Sequence, residues 1–183
     1  LKEKFIKTDN IIIDSKSGYS GAGRTVHKKF KNKNLYESLS VYGIPVHRHN
    51  SEIEQEFNKY VKKKIKFLFT PHLSPMFRGI LTTMYLETNN SINVDKIISC
   101  LKKFYKDSLF VKILKKGTLL STNSVINTNE CKISVINSKE KNRIIILSAI
   151  DNLIKGGSGQ AVQNLNMIYD FNITEGLKWE NFF

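Results

Sequence analysis

Runs of apolar residues, several of them rich in β-branched side chains, recur along the chain and predict β-strands. The first run is Ile11, Ile12 and Ile13, which ends at Asp14 and is typical of a short buried strand. Residues 35–42 alternate apolar with polar positions, a period of two that indicates a half-buried strand. Further strands are predicted over residues 65–70, 79–86, 109–114, 131–136 and 143–150.

Three other segments repeat apolar residues at helical spacing. Apolar side chains recur at every fourth position over residues 53–61, and Ser51 with Glu54 forms a capping-box pattern that predicts a helix beginning at Ser51. A second helix is predicted from Asn93, because the positions that follow it carry an amphipathic pattern. A third helix is expected to open at the glycine-rich segment 156–159.

Two segments contain turn residues in place of a regular pattern. Residues 17–24 read Ser-Gly-Tyr-Ser-Gly-Ala-Gly-Arg, and glycines so closely spaced suit a sharply bent loop with bare N–H groups. Residues 71–75 include Pro71 and Pro75. We therefore expect no regular element between the strands that flank these prolines.

Several strands with helices between them predict an α+β fold, in which one sheet carries helices on one face. The chain has no internal repeat and no long linker, so a single core is expected. The apolar run within residues 144–150 is far shorter than the roughly 18–20 residues of a membrane-spanning helix, and no secretory signal is expected. Two cysteines are too few for a disulfide framework, which favours a cytoplasmic location.

The charge balance is strongly basic, since 29 Lys and Arg residues face 16 Asp and Glu residues and give a formal net charge of +13. The positive electrostatic field of such a chain attracts phosphates, nucleic acid or acidic lipids, and the charge alone does not distinguish among them. A basic nucleic-acid-binding module is therefore one alternative. The scatter of the lysines, without interleaved aromatic residues, counts against it.

The densest group of chemically capable side chains is His47, His49 and Glu52. Imidazole titrates near neutral pH, so one histidine oriented by its neighbours suits general acid–base catalysis. A metal site with His72 as a third imidazole is a weaker alternative, because the side chains of an H-x-H pair diverge on an extended chain. A structural role at the end of a strand also stays open.

Two glycine-rich segments suggest contacts with anions. Backbone N–H groups of residues 17–24 and the guanidinium of Arg24 suit phosphate or carboxylate, although a plain surface turn fits equally well. Residues 156–159 place glycines before a predicted helix, and the N-terminus of such a helix can bind a negative charge or a flat polar ring. Amides follow at Gln160 and at positions 163, 164 and 166, either to bind an amide-bearing ligand or to face solvent. Cys100 and Cys131 lie in predicted regular elements and are not expected to be catalytic.

Four motifs occur in a fixed order along the chain. They are DSKSGYSGAGR at residues 14–24, HRHNSEI at 47–53, FTPHLSPMFRG at 69–79 and DNLIKGGSGQAVQN at 151–164. Together they resemble the back half of the N-acetyl-gamma-glutamyl-phosphate reductases, a family related to aspartate-semialdehyde and glyceraldehyde-phosphate dehydrogenases. Tyr19, Gly157 and Ser158 depart from the pattern of that family without removing a reactive group.

The resemblance implies a glyceraldehyde-3-phosphate-dehydrogenase-like C-terminal domain, with a mixed, mostly antiparallel sheet and helices on one face. Residues 1–154 would form a substrate-binding and dimerisation domain. Residues 155–183 would supply a C-terminal helix and tail that pack on a Rossmann domain binding NADP, which would lie upstream of Leu1. The full enzyme would be a homo-oligomer, either a dimer or a tetramer.

The resemblance also implies a reaction: NADPH-dependent reduction of N-acetyl-glutamyl 5-phosphate to the 5-semialdehyde and phosphate, in arginine biosynthesis. The cysteine nucleophile would lie upstream of Leu1, so the isolated chain is expected to be inactive. His47 would be the general acid–base, and His49 and Glu52 would orient it or the substrate. The implied binding residues are Ser20, Gly21, Arg24 and Arg48 for substrate or phosphate, and Gly157 and Gln160 for NADP, with no metal.

Alternatives at this point are the reductase of aminoadipate phosphate in lysine biosynthesis, the nucleic-acid-binding module, and a metal-dependent hydrolase built on His47, His49 and His72. The sequence does not separate the first of these from the glutamyl enzyme. Neither a membrane nor a specific nucleic acid is expected as a partner.

Overall fold

The computed structural model describes residues 1, 3–21, 37–62, 65–89 and 92–177. The strands in these ranges are β1 (Ile11–Gly18), β2 (Ser40–Val41), β3 (Phe67–Ser74), β4 (Ile80–Glu87), β5 (Val111–Ile113), β6 (Cys131–Asn137) and β7 (Arg143–Ile150). The helices are α1 (Asn50–Tyr60), α2 (Val94–Phe104) and α3 (Gly159–Ile168), with a π-helical turn at Ile154–Ser158 directly before α3.

The strands of the described residues form one mixed sheet in the order β2-β3-β1-β4-β7-β6-β5. The β1–β3 and β5–β6 pairs are parallel, and the other four neighbouring pairs are antiparallel. Strand β1 lies between β3 and β4, so the loop that leaves its end emerges near the centre of the sheet edge. This position matters for the candidate site.

The hydrophobic core lies between one face of the sheet and the helices α1 and α2. Buried core residues of the sheet face are Ile11, Ile13, Leu86, Val135 and Ile144, and those of α2 are Val94, Ile97 and Ile98. Ile53 and Phe57 of α1 pack against the same cluster. The predicted α+β class, with a mostly antiparallel sheet and helices on one face, is confirmed.

The other face of the sheet is open around the first strands. Ile12 is paired in register with Leu68 and with Tyr85, so the three side chains share this face. Their exposed fractions are 37%, 67% and 45%. On the same face, Asp14 forms an ion pair with Lys16 and lies 3.4 Å from Nδ1 of His72.

Strand β3 corrects the prediction that two prolines exclude a regular element from residues 71–75. It continues through Pro71 to Ser74. Proline cannot donate to a sheet ladder, but its carbonyl still accepts a hydrogen bond from the backbone N–H of Tyr42 at 3.2 Å. Strand β3 also lies next to the two-residue edge strand β2, where a missing donor is tolerated.

The start of α1 corrects the capping-box prediction. The helix begins at Asn50, and His49 occupies the N-cap with φ −80° and ψ −6° and no side-chain capping bond. Because His49 already has helical backbone angles, Ser51 lies inside the first turn, and its hydroxyl donates to the carbonyl of Arg48 at 3.2 Å. By contrast, Asn93 caps α2 as predicted and accepts from the N–H of Asp95 at 2.9 Å.

The other predicted strands agree with the structure to different degrees. Strand β7 has the predicted bounds, whereas β1 is longer than the isoleucine run because its ladder with β3 continues to Gly18. Only Ser40–Val41 of the predicted strand 35–42 is a strand, and residues 35 and 36 lie outside the described residues. No helix in the described part of the chain has both the length and the apolar character needed to cross a membrane.

Candidate functional site

The loop after β1 carries the predicted substrate-binding residues Ser20 and Gly21, and it lies against the segment before β4. Backbone bonds run from Gly18 N–H to Gly79 (2.8 Å), from Tyr19 N–H to Met76 (3.0 Å) and from Ser20 N–H to Phe77 (3.1 Å). A Cβ atom at Gly18 would lie 2.6 Å from the carbonyl oxygen of Phe77. Glycine at position 18 therefore allows the two segments to approach closely.

Asp151, the first residue after β7, is fully buried. Its Oδ2 lies 2.9 Å from Nε of Arg78 and accepts the backbone N–H of Asn127 at 2.8 Å. Its Oδ1 accepts the backbone N–H groups of Leu153 (2.8 Å) and Ile154 (3.1 Å). One guanidinium and three amide donors compensate the buried charge. Asp151 thus joins the entry of β4 to the end of β7.

Asn152 connects this network to the predicted substrate loop. Its Oδ1 accepts the backbone N–H of Gly79 at 2.6 Å, and its Nδ2 donates to Oγ of Ser20 at 2.9 Å. A Cβ atom at Gly21 would lie only 3.2 Å from this Nδ2. The segment 18–21 is therefore held from two sides, by the backbone before β4 and by the amide after β7.

The second group of predicted residues surrounds His47 at the start of α1. The ring of His47 contacts the rings of Tyr42, His49 and Phe69, with centroid distances of 5.4, 4.8 and 5.4 Å. Phe69 belongs to the helix-bearing face of β3, so His47 lies on that face of the sheet. Its Nδ1 accepts the backbone N–H of His49 at 3.2 Å. In the neutral ring the hydrogen is therefore on Nε2.

The surroundings of His47 favour its neutral form. Desolvation lowers the pKa of His47 from its usual value, and the nearby charges of His49 and Arg48 lower it further. The carboxylate of Glu52 acts in the opposite direction and raises it. A ring that is neutral near physiological pH can donate a hydrogen bond from Nε2.

The side chains of His47 and His49 do not diverge as predicted for an extended chain. Residues 47–49 turn into α1, and the centroids of the two rings lie 4.8 Å apart. The third histidine of the metal hypothesis, His72, lies on the opposite face of the sheet and faces Asp14 at 3.4 Å. Within the described ranges, no group of three or more His, Cys, Asp or Glu side chains is arranged to hold a metal ion.

The predicted cofactor residues lie at the start of α3. Gly157 and Gln160 are both exposed, and a Cβ atom at Gly157 would lie 3.4 Å from the carbonyl oxygen of Asn152. The structure thus brings Ser20, Gly21 and Gly157 together around Asn152. No hydrogen bond or ion pair among the described residues connects this group to His47.

Two of the other amides of α3 are structural, which corrects the idea that the whole cluster faces a ligand or solvent. Oε1 of Gln163 accepts from Nδ2 of Asn129 at 2.9 Å and from Nζ of Lys155 at 2.7 Å. Asn166 is 2% exposed and donates to the carbonyls of Ile173 and Glu175. Both amides tie the helix to neighbouring segments.

The remaining predicted residues are placed as follows. Arg24 lies outside the described residues. Arg48, His49 and Glu52 are exposed beside His47. Asp151, Asn152 and Arg78 received no role from the sequence, although all three stand in the motifs that carry the family resemblance.

Both cysteines are half-buried free thiols. Burial raises the pKa of the Cys131 thiol, and its hydrogen bond with Ser148 together with the charge of Lys155 only partly offsets this effect. A thiol with a raised pKa is a poor nucleophile at neutral pH. The environment of Cys131 therefore agrees with the prediction that it is not catalytic.

The chain is similar to known proteins over most of its length. The family model described as "Semialdehyde dehydrogenase, dimerisation domain" matches residues 1–152. The N-acetyl-gamma-glutamyl-phosphate reductase of Clostridium beijerinckii is 44% identical over 179 residues, and that of Staphylococcus aureus strain MRSA252 is 40% identical over 178 residues. Each alignment covers 97% of this chain and 52% of the relative. The chain thus spans about half the length of these curated relatives.

Solved structures show the same fold. The crystal structure of aspartate semialdehyde dehydrogenase II from Vibrio cholerae gives a TM-score of 0.65 at 15% identity, over 91% of this chain and 57% of that one. Aspartate semialdehyde dehydrogenase from Francisella tularensis gives 0.67 at 15% identity, over 92% and 59%. The predicted glyceraldehyde-3-phosphate-dehydrogenase-like C-terminal domain and the resemblance to the reductases are thereby confirmed. The chain belongs to the semialdehyde dehydrogenase dimerisation-domain family.

Proposed function

We propose that this chain is the substrate-binding and dimerisation part of an NADPH-dependent reductase that converts N-acetyl-glutamyl 5-phosphate to the 5-semialdehyde and phosphate. The observation that carries the proposal is the identity of 40–44% to N-acetyl-gamma-glutamyl-phosphate reductases across 97% of the chain. The arrangement of Ser20, Gly21 and Gly157 around Asn152 supports it. The two free cysteines fit the reducing cytoplasm.

In this proposal, residues 1–154 form the substrate-binding and dimerisation domain, and residues 155–183 complete an NADP-binding domain that precedes the chain. The exposure of apolar side chains on α3 supports such docking, since Leu165, Met167 and Ile168 are 48%, 61% and 74% exposed. The open sheet face with Ile12, Leu68 and Tyr85 is where a second copy of the domain would bind.

The residues at the start of α3 fit a nicotinamide. Gly157 leaves an exposed turn without a side chain, and the exposed amide of Gln160 can pair with a carboxamide. When bound, NADPH supplies the hydride that reduces the acyl group. Gly157 and Gln160 would orient the ring toward the loop that carries Ser20.

His47 would donate a hydrogen bond from Nε2 to the reacting oxygen. Reduction of an acyl group held on the expected upstream cysteine leaves a negative oxygen, and a neutral imidazole with its hydrogen on Nε2 can donate to that oxygen. The bond from His49 N–H to Nδ1 fixes this tautomer. Accepting a proton from the thiol at the same Nε2 would require the ring to change tautomer first, so the geometry favours the donor role.

The test is an assay of the complete protein with its NADP-binding domain. N-acetyl-glutamyl phosphate and the corresponding aminoadipyl phosphate are supplied separately, and NADPH oxidation and phosphate release are both measured. We expect equal amounts of oxidised cofactor and released phosphate with the glutamyl substrate. Turnover of the aminoadipyl substrate alone would assign the protein to the lysine-pathway reaction, and turnover of neither would refute the reductase proposal.

A further inference from the structure

The orientation of the Asn152 amide is fixed by its surroundings. The atom that faces the backbone N–H of Gly79 at 2.6 Å must be an acceptor, so it is Oδ1. The other atom of the amide, Nδ2, then faces Oγ of Ser20 at 2.9 Å and donates to it. The assignment of the two amide atoms follows because a backbone N–H can only donate, and it does not require nitrogen and oxygen to be distinguished in the side chain itself.

This orientation determines what the Ser20 hydroxyl can do. A hydroxyl has one hydrogen and two acceptor lone pairs. Because Asn152 occupies a lone pair of Oγ, the hydrogen of Ser20 is left to donate elsewhere, and among the described residues Oγ makes no other hydrogen bond. A hydroxyl in this state suits an anionic oxygen, which only accepts.

We propose that Asn152 is a positioning residue that makes Ser20 a dedicated hydrogen-bond donor to an anionic oxygen of the acyl phosphate substrate. The inference rests on the proposed function, which places substrate at this loop. The anionic oxygen belongs either to the phosphoryl group or to the substrate carboxylate, and both have the same acceptor chemistry.

The burial and anchoring of Asn152 suit this role. Asn152 is 7% exposed, and the neighbouring Asp151 is held by Arg78 and three backbone amides. Gly21 lets the substrate loop approach to within 3.2 Å of Nδ2, measured from the position its Cβ would take. A rigid amide at this distance restricts the rotation of the Ser20 hydroxyl, which lowers the entropic cost of binding.

The test is a double-mutant cycle of Asn152→Asp and Ser20→Ala in the complete reductase, assayed in the reverse direction, where phosphate and semialdehyde are separate substrates. A carboxylate at position 152 keeps the bond from Gly79 N–H but accepts the Ser20 hydrogen, so the donor is lost. We expect Asn152→Asp to raise one KM by about 10- to 100-fold, the value of a hydrogen bond to a charged group. A rise in the phosphate KM identifies the phosphoryl oxygen, and a rise in the semialdehyde KM identifies the carboxylate.

The cycle separates this role from repulsion of the substrate by the new charge. Repulsion acts with or without the Ser20 hydroxyl and cancels in the ratio of the two effects. In the Ser20→Ala background, the factor by which Asn152→Asp raises KM should be at least about tenfold smaller than in the wild-type background. The reason is that the Ser20 hydrogen bond is already absent in the Ser20→Ala background. Equal factors in both backgrounds would overturn the proposal while leaving the reductase function intact, whereas a wild-type protein without reductase activity would overturn both.

Two further variants complete the design. Asn127→Asp adds the same charge to the network and keeps an acceptor for Arg78, so its effect on KM should be equal in both backgrounds. If Asn152→Asp does not fold, Gly21→Ala replaces it, because a methyl group 3.2 Å from Nδ2 would push the amide away from Ser20. The same loss of effect in the Ser20→Ala background is then expected, and its absence would overturn the proposal.

Discussion

Nε of Arg78 lies 2.9 Å from Oδ2 of Asp151, and this ion pair joins an arginine side chain that is 25% exposed to a carboxylate with no solvent exposure. The two residues are 73 positions apart and stand at the entry of β4 and the end of β7. Removing one partner of such a pair leaves an uncompensated buried charge.

Arg78→Met should therefore destabilise the fold by about 3 kcal/mol, at the low end for breaking a buried pair because three backbone amides still face the carboxylate. The control is Arg143→Met, whose partner Glu87 lies 3.7 Å away at the surface, and it should cost less than about 1 kcal/mol. Urea denaturation gives both values. Equal costs would mean that the Asp151 charge is compensated without Arg78.

The close contact at Gly18 gives a second stability prediction. Gly18→Ala should cost about 2–3 kcal/mol, since the new methyl group would meet backbone atoms of Phe77 and Arg78 that cannot move aside. Gly156→Ala is the control, because its nearest neighbour, a side-chain atom of Ile150, would be at an ordinary 3.5 Å. It should change the free energy of unfolding by less than about 1 kcal/mol. A tolerated alanine at position 18 would contradict the described packing of the loop after β1 against the segment before β4.

The sequence predicted regular elements best where the signal is local. Strand β7 and the Asn93-capped helix α2 follow directly from apolar period and capping chemistry. Strand β3 was partly missed, because tolerance of Pro71 depends on its neighbours in the sheet. The turn at residues 47–49 is also not predicted, because the capping-box pattern places the start of the helix at Ser51.

The residues of the candidate site also divide into those with a local sequence signal and those without one. His47, Ser20 and Gly157 carry recognisable side chains or glycine patterns, and the family resemblance located them. The roles of Asp151 and Asn152 depend on contacts with Arg78, Gly79 and Ser20, which are 73 to 132 positions away in the chain. An Asp-Asn pair has no periodic signal of its own, so only the folded chain shows which segments it joins.

The ionisation of His47 can be followed by NMR of the labelled imidazole. Desolvation and the neighbouring His49 and Arg48 lower its pKa, so its midpoint should lie below the usual value of about 6.5. Because the folded chain then binds this proton more weakly than the unfolded chain does, His47 contributes a loss of stability as the pH falls through the usual value toward the folded-state pKa.

Two variants check the causes of this shift. Arg48→Met removes a positive neighbour and should raise the midpoint, whereas Glu52→Gln removes a negative one and should lower it. The nitrogen shifts should assign the hydrogen of the neutral ring to Nε2. A ring with its hydrogen on Nδ1 would contradict the bond from the backbone of His49.

In the complete protein with its proposed reductase activity, His47→Asn should lower kcat by about 100- to 10,000-fold with a smaller change in KM, the range for the loss of a catalytic histidine. His72→Asn is the matched control, because this histidine faces Asp14 on the other side of the sheet. Its effect on kcat should be clearly smaller. Equal losses at the two positions would mean that the catalytic histidine is misassigned.

The last prediction concerns the thiol chemistry of this chain by itself. A reductase that holds its acyl group on a thiolate needs a sulfur with a low pKa beside the substrate carbonyl. Burial raises the pKa of Cys131, and its sulfur bonds to Ser148 within the sheet rather than approaching Ser20 or His47. Cys100 lies within α2.

Residues 1–183 alone should therefore show no NADPH oxidation with the acyl phosphate, and addition of the NADP-binding domain with its cysteine should restore turnover. Positioning of a nucleophile is worth on the order of 7–11 kcal/mol, which the two thiols of this chain cannot supply from their places in the fold. The assay compares the chain, the complete protein, and the complete protein with Cys100→Ser and Cys131→Ser. Activity of the isolated chain that disappears on mutation of either cysteine would show that the nucleophile lies within these residues, whereas full activity of the double variant confirms that it lies outside them.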